Sequence, residues 1–181
     1  MNKIAFKFNG KKAMEAILWL ASRKRKGVNL YWILKAVFHS DVYHLNTYGR
    51  VIFGDMYVAM EYGPIPSKTY DILKNEPLTL SYLGITELPF ERSQNIIKAK
   101  RKPNVEEFSE SDIEALQRGW SKVKDKSFDQ IKDNLHEHEA YGKKWNNPER
   151  ITNSVSMDFE DMIDNDEIKE ELSCTAKFIK L

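Results

Sequence analysis

The sequence predicts an α+β fold: a mainly helical single domain with a small antiparallel β-sheet or hairpin. Three observations carry that prediction. Apolar residues recur at three- and four-residue spacing in several segments between residues 11 and 137. The period switches to alternation over Met56–Tyr62, where Met56, Val58, Met60 and Tyr62 oppose Tyr57, Ala59 and Glu61. Turn chemistry brackets that stretch at Gly49-Arg50, Gly54-Asp55 and Gly63-Pro64-Ile65-Pro66.

Residues 11–25 read as the first helix, with Met14, Ile17, Leu18 and Ala21 on one face. Gly27 supplies its C-terminal break. The basic run Arg23–Lys26 reads first as a complement to the helix dipole and second as a phosphate contact. Asn29 is placed to cap a helix over Leu30–Leu45, whose buried stripe is Leu30, Ile33, Leu34, Val37, Phe38 and Leu45. Asp41 falls on that stripe, where a bare charge is costly. It is therefore expected to find partners in His44, Arg50 or the amides of the next loop. With His136 these residues make an expected structural polar network: Asp41, His44, Arg50 and His136.

Two short strands are expected, at Val51–Phe53 and Met56–Tyr62, with Gly54-Asp55 as the turn between them. Pro64 and Pro66 lack N–H groups and are expected to end strand pairing. Ser67 is expected to cap a short helix over Lys68–Asn75. Residues 76–91 read as an ordered excursion punctuated by Pro77, Gly84 and Pro89. Asn95–Arg101 reads as an edge strand whose lysines discourage further pairing. Capping boxes at Ser111-Asp112-Ile113-Glu114 and Ser127-Phe128-Asp129-Gln130 predict helices over Asp112–Lys124 and Phe128–Glu137. Residues 147–181 form an acidic C-terminal extension, with a last helix expected over Asp166–Lys177.

The 181 residues suit one domain with a tail, and 41% apolar content is enough for a real core. A net charge of +1 gives no bulk field for nucleic acid, so nucleic-acid binding is not expected. The charge is uneven. Lys3, Lys7, Lys11, Lys12, Arg23, Lys24, Arg25 and Lys26 face one acid, Glu15, in residues 1–26. Residues 158–171 hold eight acids against Lys169. The single cysteine, Cys174, excludes an internal disulfide framework and a multi-Cys zinc site, and it suits a reducing compartment. Met1–Gly10 lacks a cleavable signal pattern, and no apolar run approaches the roughly 20 residues that span a bilayer. The expectation is a soluble cytoplasmic protein that needs neither membrane nor cofactor.

No phosphate-cradling glycine loop, nucleophile elbow or strong zinc spacing is present in the sequence. His39 and His44 are five apart and do not share a face as a metal-binding pair four apart does. In His136-Glu137-His138-Glu139, neighbouring side chains diverge. Asp55 and Glu61 are two acids among 27, with no pocket to pair them. No catalytic and no metal-ligating set is assigned. The better physical signal is an aromatic cluster in a rigid frame: Tyr57, Tyr62, Ile65 and Tyr70 around Pro64 and Pro66. These six residues form the expected partner-binding face. The alternative, that the aromatics cover the core, stays open and weighs most for Tyr62.

Lys35–Leu45 (KAVFHSDVYHL), Gly49-Arg50, Gly54-Asp55, Tyr57-Val58-Ala59-Met60 and Tyr62-Gly63-Pro64-Ile65-Pro66-Ser67 resemble the Panacea antitoxin domain, also called SocA-like or phage-associated GepA-like. Phe108-Ser109-Glu110-Ser111-Asp112, Leu135-His136-Glu137, Tyr141 and Trp145 continue the likeness, which gives a domain over residues 1–146. Two departures stand out: Phe38-His39-Ser40 replaces the family's Tyr-Phe-Ala, and no serine precedes His136. The resemblance implies an antitoxin of a bacterial or phage toxin–antitoxin system. Such a protein is not an enzyme; it binds and neutralises a cognate protein toxin, with toxin identity and oligomeric state left open. The acidic run 158–171 reads first as a solvated face and second as a steering surface for a basic toxin. The rival readings are a DNA-binding regulator using Arg23–Lys26 and Arg92–Lys102, an interaction adaptor, and a metal-dependent enzyme using Asp41, His44 and His136.

Overall fold

In a computed structural model that describes residues 3–178, the chain runs α1 (Gly10–Ala21), β1 (Val28–Asn29), α2 (Leu30–Tyr48), β2 (Tyr57–Met60), β3 (Gly63–Pro66), α3 (Ser67–Lys74), α4 (Pro77–Tyr82), β4 (Phe90–Ser93), β5 (Ile96–Ala99), α5 (Glu110–Val123), α6 (Phe128–His136), α7 (Glu139–Trp145), β6 (Val155–Ser156) and α8 (Asp166–Phe178). Short 3₁₀ turns lie at Val105–Glu107 and Phe159–Met162. The described residues are mainly helical with two small antiparallel sheets, ordered β1-β5-β4 and β3-β2-β6. This is the α+β architecture that the sequence predicts.

Helix α1 ends at Ala21, four residues before the predicted end. The guanidinium of Arg23 then stacks 3.7 Å over the Trp19 ring while its Nε donates to the Trp19 carbonyl at 3.1 Å. The basic run thus supplies a donor to an orphan carbonyl of the helix end. Helix α2 starts as predicted, with the Asn29 side chain accepting from Tyr31 N at 2.9 Å, and runs on to Gly49 in the left-handed region at φ 64. It is the central rod of the core: Ile33, Leu34, Ala36, Val37, Phe38 and Leu45 are all buried.

Helix α5 packs against α2 at very close range because Gly119 has no side chain. A Cβ added there would sit 2.2 Å from Ser40 Oγ and 2.3 Å from the Ala36 carbonyl. The capping box of α5 is Ser109 with Asp112, not the predicted Ser111 with Glu114. Asp112 turns back to Ser109 N at 2.9 Å, and the Ser111 hydroxyl is instead engaged by α2 and its following loop. The capping box of α6, Ser127 with Gln130, is where the sequence places it.

Three strand expectations are corrected. Val51–Phe53 forms no strand, because the amides of Ile52 and Phe53 both donate to the Asp41 carboxylate. Pro64 and Pro66 do not end pairing; they lie inside β3, opposite Ala59 and Tyr57. Ser67 N donates to Met56 O at 2.8 Å, which makes residues 56 and 67 a hydrogen-bonded pair. In the same register the two prolines take the alternate positions, where an edge strand needs no N–H toward its neighbour. Asn95–Arg101 contributes β5, which is the middle strand and not an edge: Ile97 faces Val28 on one side and Arg92 on the other. Ile97 is fully buried, so the strand is drawn over α1, and the exposed Lys98 side chain does not obstruct either neighbour.

The acidic extension is built into the fold. β6 pairs with β2, and Met157, Met162 and Ile163 are buried in the core that α2 traverses. Asp158 pairs with Lys3 at 2.7 Å and also with Lys144, and Asp161 pairs with Lys143 at 3.2 Å. These acids are committed to the basic ends of the domain rather than solvated. Ile168 and Leu172 of α8 pack on the core as partly buried residues. Among the described residues no helix is long and apolar enough to cross a membrane.

Candidate partner-binding face

Two buried aspartates set the geometry of the loop between α2 and β2. Asp41 is fully buried and accepts from Ile52 N at 2.7 Å, Phe53 N at 3.2 Å and the Tyr57 hydroxyl at 2.9 Å. Burial raises its pKa to about 7, with the three donors opposing the shift. Asp55, also fully buried, accepts from Lys68 N, Thr69 N and the Thr69 hydroxyl at 2.9, 2.8 and 2.7 Å. It therefore caps α3 from outside the helix. The predicted cap, Ser67, is instead the first helical residue, preceded by Pro66, which carries no capping side chain. Burial raises the Asp55 pKa despite these bonds.

Beyond this loop, β2 and β3 form a hairpin whose tip is Glu61-Tyr62, closed by Met60 opposite Gly63 at φ 93. Its carbonyls are held by side chains from α2, α6 and α7. The Tyr141 hydroxyl donates to Met60 O at 2.9 Å, and His136 Nε2 contacts Glu61 O at 3.0 Å. The Tyr31 hydroxyl donates to Tyr62 O at 3.2 Å, and Lys35 Nζ donates to Pro64 O at 2.9 Å. A nitrogen facing a carbonyl must carry the proton, so His136 is assigned as the Nε2–H tautomer. A side chain at Gly63 would press on Lys35 Nζ and Leu135 Cβ, each at 3.3 Å. A ladder of stacked groups supports the tip: His136 on Tyr141 at 4.8 Å, Tyr141 on Trp145 at 6.0 Å, and the Arg150 guanidinium 3.9 Å from the Trp145 ring.

The exposed side of this hairpin is a groove of about 500 Å³ lined by Met60, Glu61, Tyr62, Ile65, Tyr70, Trp145 and Asn153. The six residues expected at a partner face divide here. Tyr62 is 49% exposed and packs edge-on to Phe128 with ring centroids 5.5 Å apart. Ile65 and Tyr70 are half-buried and line the groove. Tyr57, at 1% exposure, is a core residue committed to Asp41, and Pro64 and Pro66 are buried. The structure thus removes three of the six from any accessible surface and adds Trp145 and Asn153. The lean of Tyr62 toward the core is reversed, because its ring lies at the surface against Phe128, itself 36% exposed. Rings held on a backbone that is fixed at several carbonyls lose little freedom on binding, so the groove suits an apolar or aromatic anchor from another protein.

Asp41, His44, Arg50 and His136 do not form one network. Asp41 holds the loop, and His136 holds the hairpin. His44 and Arg50 form a third group with α5. His44 Nδ1 faces Arg50 O at 2.7 Å, and its Nε2 faces the Ser111 hydroxyl at 3.1 Å. Arg50 Nη2 donates to the same hydroxyl at 2.9 Å. Burial lowers the His44 pKa, while the Arg50 carbonyl and the Asp112 carboxylate, 3.3 Å from Nε2, act in the opposite direction. Asp112, beside it, is buried and bonded to Lys12 at 2.5 Å, and its carboxyl is held below the usual range by Lys12 and Ser109 against the opposing effect of burial. These groups join the ends of α2 and α5; they converge on no shared open space. Among the described residues no cluster of three or more His, Cys, Asp or Glu is placed to hold a metal ion.

The model of the family described as antitoxin SocA-like, Panacea domain, matches residues 33–141. That span contains Asp41, Asp55, the whole hairpin, His136 and Tyr141, while Tyr31 and Trp145 lie just outside it. No curated protein and no solved structure matches the chain.

Proposed function

The chain belongs to the SocA-like antitoxins of the Panacea domain family, and from that premise we propose that it neutralises a cognate protein toxin by direct stoichiometric binding, as a non-catalytic cytoplasmic partner. One observation carries the placement of the contact. The hairpin tip is held by Tyr141, His136, Tyr31 and Lys35, and it presents Tyr62, Ile65 and Tyr70 beside Trp145 around an open groove. A rigid aromatic face of this kind supplies anchors at low entropic cost.

Neutralisation follows when the bound domain covers the toxin's active site or holds it in an inactive conformation. A standard interface of about 1,600 Å² in total is sufficient. The acids of the C-terminal segment that remain exposed, Asp164, Asp166, Glu167, Glu170 and Glu171, are placed to steer a basic toxin. The test is co-expression with the protein encoded by the neighbouring reading frame. Growth arrest by that protein alone and rescue by this chain, with a 1:1 complex on purification, is the expected result. A neighbour that is harmless alone, or toxicity that persists, rejects the reading.

A further inference from the structure

A second cleft, sharing no lining residue with the hairpin groove, lies between α2, α5 and the corner joining α6 to α7. Its α2 wall is His39, Val42, Tyr43, Asn46 and Thr47, spaced so that all fall on one helix face. Arg118 and Lys122, four apart on α5, form the opposite wall, and His138 and Asp164 close the end. Its volume is about 530 Å³, within the ~300–1,000 Å³ typical of small-ligand sites. A smaller adjoining hollow shares His39 and Lys122 and adds Lys126.

Polar groups at this cleft lack partners among the described residues. His138 Nδ1 is buried without a hydrogen bond. In the same stretch Lys124 pairs with Asp125 at 3.7 Å, and Arg118 stands 3.8 Å from Glu114. Lys122 and Lys126, by contrast, have no acid within ion-pair distance among the described residues. The cleft is lined by Arg118, Lys122 and two imidazoles against one acid, Asp164, and the adjoining hollow adds Lys126, a lining that suits a ligand that accepts hydrogen bonds and carries negative charge.

We propose that this cleft binds an oxyanion, a phosphate or carboxylate, held by Lys122, Arg118 and His39 beside His138, with its organic part against Val42 and Tyr43. The groups facing the two imidazoles are consistent with that. Burial and then the neighbouring His138, Lys122, Lys126 and Lys35 push the His39 pKa down to about 3. His138 is lowered by burial and faces Asp164 and Glu139, which act in the opposite direction. Both rings are neutral at pH 7, and an anion between them favours their protonation, so affinity rises as pH falls.

The test is titration of the full chain with phenyl phosphate, followed through the imidazole NMR signals of its four histidines. His39 and His138 are expected to shift saturably while His44 and His136 stay in place. The double variant Arg118→Gln/Lys122→Gln, which alters only exposed side chains, should weaken binding by about tenfold or more, the factor of a lost charge-assisted hydrogen bond. Sulfate, which does not titrate between pH 5 and 8, should bind more tightly at the lower end of that range. Absence of saturation, equal shifts at all four histidines, or an affinity unchanged in the double variant overturns the proposal. A second arm identifies the source of the anion. Displacement of phenyl phosphate by the cognate toxin, together with a weaker toxin complex for Lys122→Gln, assigns it to an acidic toxin side chain. Undiminished binding to the complex assigns it to a free small molecule.

Discussion

The Lys35 ammonium donates to the Pro64 carbonyl at 2.9 Å from a fully buried position on α2. Desolvation lowers its pKa from 10.5 to about 7. Either protonation state can donate to the carbonyl, so the contact survives the titration. Between pH 7 and the ordinary lysine value the unfolded chain binds the extra proton. Lys35 therefore makes stability rise with pH there, by up to about 1.4 kcal/mol per unit. Melting curves from pH 7 to 10 should show a shallower rise for Lys35→Met than for the parent chain. Parallel curves would place Lys35 in water.

Asp41 acts in the opposite sense. Its folded pKa of about 7 lies above the ordinary aspartate value of 3.8, so the native state holds the extra proton between those limits. Stability from this group is fully present below the lower value and is lost as pH rises through the upper one. Asp41→Asn keeps a carbonyl acceptor for the Ile52 and Phe53 amides, and it should flatten the fall in melting temperature between pH 4 and 7. Asp41→Ala leaves both amides and the Tyr57 hydroxyl without a partner and should cost about 1–3 kcal/mol or more. A denaturant titration at pH 6 measures the difference between the two.

The cap of α3 gives a sharper pair of variants. Asp55→Ala removes the acceptor for Lys68 N, Thr69 N and the Thr69 hydroxyl and should cost about 1–2 kcal/mol, the range for lost helix caps. Ser67→Ala should stay within about 0.5 kcal/mol, as for a surface change that breaks no special contact. Equal losses in the two variants would restore Ser67 as the cap.

Local chemistry was readable in the sequence, and long-range partners were not. The Asn29 cap, the Ser127 capping box and the alternation through β2 follow from residues a few positions apart, and the structure keeps them. Asp41 was identifiable as a buried acid needing donors, but its donors lie 11 to 16 residues away. Nothing in a helical pattern says that Tyr31 and Lys35 reach hairpin carbonyls 31 and 29 residues on, or that Tyr141 reaches one 81 residues back. The aromatic cluster around the prolines was visible as a set. Which of its members face outward depends on strand register, and that placed Tyr57 inward on Asp41 and Tyr62 at the tip.

Gly119 tests the α2–α5 seam. An alanine methyl there must enter space held by the Ala36 carbonyl and by Ser40 Oγ and N, at 2.3, 2.2 and 2.9 Å. Two of these are backbone atoms of a buried helix, so the seam opens rather than adjusts. Gly119→Ala should destabilise by about 1–3 kcal/mol, as overpacking does, despite the higher helix propensity of alanine. A variant with unchanged or raised melting temperature would show that the helices separate without cost.

Tyr62 and Tyr57 stand five residues apart on one hairpin and should separate function from stability. Tyr62 is 49% exposed and its carbonyl is held by Tyr31 through the backbone. Removing its ring leaves that bond intact, so Tyr62→Ala should change stability by no more than about 1 kcal/mol. As a central anchor of the groove it should nevertheless weaken toxin binding by about tenfold or more. Tyr57→Phe should do the reverse: it deletes the hydroxyl on Asp41, costs about 1 kcal/mol of stability, and leaves the affinity of the folded protein unchanged. Calorimetric titration with the toxin and thermal melts of both variants give the four values needed. Full affinity in Tyr62→Ala would move the toxin contact off the hairpin groove.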